Sequence, residues 1–134
     1  MKKEILALLV VVACWGSTLQ ANDWKNAPIS EVQKAAEQGD AKAQSLLGVM
    51  YADGEGVMQD DKQAVAWFRK AAEQGDAKAQ FKLGMMYFNG RGVAQDYKLA
   101  YVWSSVSAAN GHIEAAANRD LFAKRLSPAV LAEA

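Results

Sequence analysis

A chain of 134 residues, 51% hydrophobic and 22% charged, is long enough for one domain and has none of the bias of a disordered chain. Fifteen basic side chains balance fifteen acidic ones, which argues against a nucleic-acid surface, since that needs a basic excess to displace phosphate counterions. One cysteine, Cys14, leaves no disulfide within the chain.

The first 21 residues read as an export signal. Lys2 and Lys3 form a positive start, Ile5 to Ala13 is an uncharged apolar run, and Leu19-Gln20-Ala21 is a plausible cleavage site. The run is too short for a membrane span of about 20 apolar residues. The mature protein is expected to begin near Asn22 and to be periplasmic or secreted. Removing Lys2, Lys3 and Glu4 leaves 13 basic and 14 acidic side chains. Val11-Val12-Ala13-Cys14 resembles a bacterial lipobox, so the alternative is a structural or assembly factor of the envelope, lipid-anchored through Cys14. The motif lies unusually early, and this is not the favoured reading.

After an extension over residues 22–29, Pro28 and a possible N-cap at Ser30 introduce a capping helix over 30–39. From there the chain repeats itself. Lys34-Ala-Ala-Glu-Gln-Gly-Asp-Ala-Lys-Ala-Gln44 recurs unchanged from Lys70 to Gln80, an offset of 36 positions. The same offset relates Leu47 to Leu83, Gly48 to Gly84, Tyr51 to Tyr87, Gly54 to Gly90, Gly56 to Gly92, Asp60 to Asp96 and Trp67 to Trp103. The units therefore span 40–75 and 76–111. A third copy starts with Ala108 and Gly111, and the match is lost beyond Ala115.

Each unit reads as two helices. Asp40 is an N-cap, and Ala43, Leu47 and Tyr51 form one face at four-residue spacing. Gly48 beside that stripe lets a second helix approach. Gly54-Glu55-Gly56-Val57 reverses the chain through positive φ. The second helix begins near Asp60 or Asp61, buries Ala64, Trp67, Phe68, Ala71 and Ala72, and closes at Gly75. Turns this short make consecutive helices antiparallel. The remainder, 112–134, is a terminal helix packing through Ala116, Leu121 and Leu126, then a short helix opened by Ser127 and Pro128.

These residues resemble the Sel1-like repeat, a relative of the tetratricopeptide repeat. The motifs are Leu47-Gly48-Val49-Met50-Tyr51, Gly54-Glu55-Gly56-Val57, Asp60, Lys62, Ala64, Trp67 and Ala71-Ala72-Glu73-Gln74-Gly75, given again between Leu83 and Gly111. The resemblance covers roughly residues 34–126. It implies an all-α fold, a right-handed solenoid of antiparallel α/α pairs, and a protein or peptide as partner. Some cysteine-rich members are linked to β-lactam binding or turnover; this chain lacks their paired cysteines.

Catalytic, metal-binding and cofactor-binding sites are not expected. His112 occupies the position of Asp40 and Asp76 and has no base or nucleophile nearby in sequence, so a capping or exposed role is expected. The glycine pairs lack the strand, third glycine and Gly-Lys-Ser/Thr ending of a phosphate loop. Positions that differ between copies are the ones free to specialise. On the first helices Ser45/Phe81, Leu46/Lys82, Val49/Met85 and Ala52/Phe88 all differ, and the resemblance places the first three on the inner curve. Phe81 and Met85, one turn apart and rimmed by Lys78 and Lys82, with Ser45 and Val49 before them, form the candidate partner site. The competing reading is that Phe81 and Met85 pack under the C-terminal helix.

Overall fold

The computed structural model describes residues 24–133. The export segment and Cys14 lie outside these residues. A 3-10 turn at Trp24–Asn26 leads into α1 (Ile29–Glu37), α2 (Ala41–Asp53), α3 (Asp61–Glu73), α4 (Ala77–Asn89), α5 (Tyr97–Ala109), α6 (Ile113–Ala123) and α7 (Pro128–Glu133). The described residues contain no strand. Helices adjacent in sequence pack on one another, most closely α2 on α3 and α4 on α5, as stacked hairpins do.

The helix starts follow the repeat. Asp40 and Asp76 each accept a 2.8 Å bond from the amide three residues on, at Ala43 and Ala79. Asp60 caps α3 through the amides of Lys62 and Gln63, and Asp96 caps α5 through that of Leu99. At the front, the extended backbone of Pro28 takes the cap position and α1 starts at Ile29. Ser30 therefore lies inside the first turn. The ends of α2 and α4 are alike too. Gly54 and Gly90 are left-handed, and the next amide bonds back to Met50 O at 2.9 Å and Met86 O at 3.0 Å, closing both helices in the same way.

The core has two parts. One joins Val32 and Ala36 of α1 to Ala43 and Leu47 of α2; the larger joins α3, α4 and α5 and ends on Phe122 of α6. Gly48 does permit close approach: a Cβ there would lie 2.6 Å from the ring of Phe68. A Cβ on Gly84 would likewise lie 2.9 Å from Ser104 Oγ and 3.2 Å from the Ala100 carbonyl oxygen. Phe68, 1% exposed, is the fully buried aromatic of α3, whereas Trp67 is half-buried against the front cluster with Lys70 Nζ 4.5 Å over its ring. Trp103 is half-buried against the larger cluster.

Buried amides tie one hairpin to the next. Gln44 donates to the Ala36 carbonyl and Gln80 to the Ala72 carbonyl, both at 3.0 Å. Gln74 then donates to Gln44 at 2.7 Å, and Asn110 to Gln80 at 2.9 Å. In α6 the register continues past the point where residue identities match. Ala115 and Phe122 are buried, while Leu121 is 48% exposed, because Phe122 and not Leu121 falls 36 positions after the buried Met86.

Candidate docking cleft

Between the C-terminal halves of α2 and α4 the packing opens into a cleft of about 100 Å³. Val49, Ala52 and Asp53 line one wall and Lys82, Met85 and Asn89 the other, with Phe68 and Met86 contributing and Arg91 at one end. Its cause is legible one junction further on. Between α4 and α6, Phe88 stacks on Phe122 with ring centroids 4.3 Å apart. Ala52 occupies the position of Phe88 and Val49 that of Met85, so the α2–α4 junction lacks the volume that closes the α4–α6 junction.

Arg91 fixes the end of the cleft. Its guanidinium forks onto Asp61 at 2.8 and 3.3 Å and reaches the Ala52 carbonyl at 3.4 Å. The neighbouring Gly92 lies against the backbone of Asp61. The loop of the second hairpin is thus seated on the start of α3 and the end of α2. At the position of Arg91 the first hairpin has Glu55.

Of the expected partner residues, the cleft brings together Val49, Lys82 and Met85. Lys78 is exposed on the first turn of α4, outside the lining. Phe81 is half-buried under His112, the rings stacked 4.4 Å apart at 12°. Met85 also meets α6, its sulfur 3.1 Å from Asn118 Nδ2, so packing against the C-terminal helix holds for both residues. Ser45 is 5% exposed: so short a side chain stays within the helix packing, which removes it from any surface a partner could touch. His112 stands at the N-cap of α6 without capping it, its side chain turned onto Phe81.

Ala52, Asp53, Asn89 and Arg91 are lining residues beyond the expected set, and the pairs Ala52/Phe88, Asp53/Asn89 and Glu55/Arg91 all differ between copies. Among the described residues no group of histidine, cysteine or carboxylate side chains could hold a metal, and no helix is long and apolar enough to cross a membrane. The cleft is well below the roughly 300 Å³ at which small-molecule pockets begin. It is the size for one apolar side chain, with the ammonium of Lys82, the amide of Asn89, the guanidinium of Arg91 and the carboxylate of Asp53 in its lining.

The fold defines an α/α repeat protein, and the sequence pattern of the Sel1 repeat matches residues 32–40, 41–76 and 77–112. The chain belongs to the Sel1 repeat family. It is similar to a protective antigen of uropathogenic Escherichia coli strains with an SLR fold, at 36% identity and a TM-score of 0.77 over 85% of this chain. It spans 25% of that antigen's length. A Sel1 repeat protein from Oxalobacter formigenes is 40% identical with a TM-score of 0.67, over 69% of each chain. Cysteine rich protein B of Helicobacter pylori is 26% identical with a TM-score of 0.64, over 73% of this chain and 72% of its own. No curated protein matches the chain.

Proposed function

We propose that this protein is an exported, non-enzymatic adaptor that grips another protein by seating one apolar side chain in the cleft between α2 and α4. The observation that carries this reading is the missing volume at Ala52, which opens a side-chain-sized recess between two first helices. Val49, Met85 and Met86 supply apolar walls, and methionine adapts to varied shapes. Lys82, Asn89 and Arg91 can meet the carbonyls or carboxylates of an extended segment beside the anchoring side chain. Sel1 repeats typically mediate contacts between proteins, which fits a recess too small for a metabolite.

A photo-reactive residue at position 85 tests this in cells. One dominant cross-linked protein is expected at that position, lost when the recess is filled by Ala52→Phe, with no such adduct from position 98 on α5. An adduct undiminished by Ala52→Phe would remove the cleft from the interaction. Mass spectrometry of the mature N-terminus tests the export reading: a chain starting near Asn22 supports free release, and a diacylated Cys14 supports the anchored alternative.

A further inference from the structure

We propose that α6 is a self-association surface through which two copies of this chain pair as an antiparallel two-fold dimer. One helix stripe occurs three times along the solenoid. On α2, Ala41 and Val49 pack against the larger core, to which α3 and α4 contribute most, and Ser45 is buried. On α4, 36 positions on, Phe81 is covered by His112 and Met85 by Asn118 at the next helix. On α6 the same stripe is Ile113, Ala117 and Leu121, and it is open: Ile113 is 90% exposed, Leu121 48%, and Ala117 is exposed.

The side of α6 that another hairpin would need is closed to it. Where α4 has Leu83 and Gly84, buried against α5, α6 has Arg119 and Asp120, paired with each other at 3.1 Å. The solenoid cannot be continued there by a helix pair, yet the stripe retains the register of a first-helix contact. A single helix is what fits.

Apart from Ile113, whose mirror position is Arg125, the stripe and its charges are complementary to themselves. Ala117 and Leu121 lie symmetrically about position 119, and so do Glu114 and Lys124, both exposed. One two-fold axis level with Arg119 therefore sets Leu121 of each copy against Ala117 of the other and Glu114 beside the opposing Lys124. Small opposite large gives close packing, and two symmetric ion pairs fix the antiparallel direction. One helix face per copy is a small interface, so the dimer is weak and concentration-dependent.

Sedimentation of the purified protein over a concentration series tests the assignment. A monomer–dimer equilibrium is expected for the wild type. Leu121→Glu should stay monomeric throughout, with unchanged helical circular dichroism because the residue is exposed. Glu114→Lys should weaken pairing about tenfold, and adding Lys124→Glu should recover most of that loss. Ala52→Phe should dimerise as the wild type does, which separates this surface from the cleft. A wild-type protein monomeric at every concentration, a Leu121→Glu variant that dimerises equally well, or a charge swap no better than the single reversal would each overturn the proposal.

Discussion

Replacing Gly92 by alanine isolates the seat that joins the two hairpins. Gly92 has φ of 70°, and a Cβ on it would lie 2.3 Å from the carbonyl oxygen of Asp61 and 2.5 Å from its carbon. Both are backbone atoms at the start of α3, so no rotamer change relieves the overlap. Gly75 is the control: its φ is 96°, but a Cβ added there would meet nothing within 4 Å. The left-handed backbone alone costs about 1–2 kcal/mol for an alanine, and Gly75→Ala should lose that much. Gly92→Ala carries the same cost and must also lift the loop from α3, for a total of about 3 kcal/mol or more. Asp61→Asn, which loses the ion pair together with the first-turn carboxylate that accepts from Gln59 Nε2, should cost about 1 kcal/mol because Arg91 is 47% exposed. Each kcal/mol lowers the melting midpoint by about 4 °C in a domain of this size. Urea and thermal unfolding of the three variants should rank Gly92 well beyond Gly75, and Gly75 at or beyond Asp61. Equal losses at Gly92 and Gly75 would refute the seating of the loop on α3.

Phe68→Ala removes a fully buried ring and should cost about 3–5 kcal/mol, whereas Trp67→Ala, at the edge of the front cluster, should cost about half as much; denaturant midpoints will order them. Gln80→Leu removes the side-chain bonds to the Ala72 carbonyl, which keeps the Gly75 amide, and to the exposed Asn110 amide, a loss of about 1 kcal/mol that should also speed amide exchange at the α3–α4 turn.

Much of the fold is legible in the sequence because the repeat states it twice. The caps at Asp40, Asp60, Asp76 and Asp96 and the close approach at Gly48 follow from local chemistry and a fixed period. The ranking of Trp67 and Phe68 does not, since both sit on the buried side of one helix and only the glycine opposite decides which ring is enclosed. Leu121 and Phe122 show the same limit: where identities no longer match, register alone places Phe122 inward. The cleft is harder still. The difference between Ala52 and Phe88 is visible along the chain, but a small residue becomes a recess only when the helix spacing is set by Phe68, Met86 and the Arg91 seat. Lys82, Met85 and Val49 reach it, while Phe81 and Ser45, adjacent on the same helices, are taken up by packing.

The most direct measurement of docking in the cleft is a titration of the cross-linked partner's segment against the wild type and Ala52→Phe, with melting curves recorded for both. Filling the recess should weaken binding about a hundredfold, or ~2.8 kcal/mol, and leave the melting midpoint no lower than that of the wild type. Equal affinities for two equally folded proteins would contradict a partner side chain seated at Ala52.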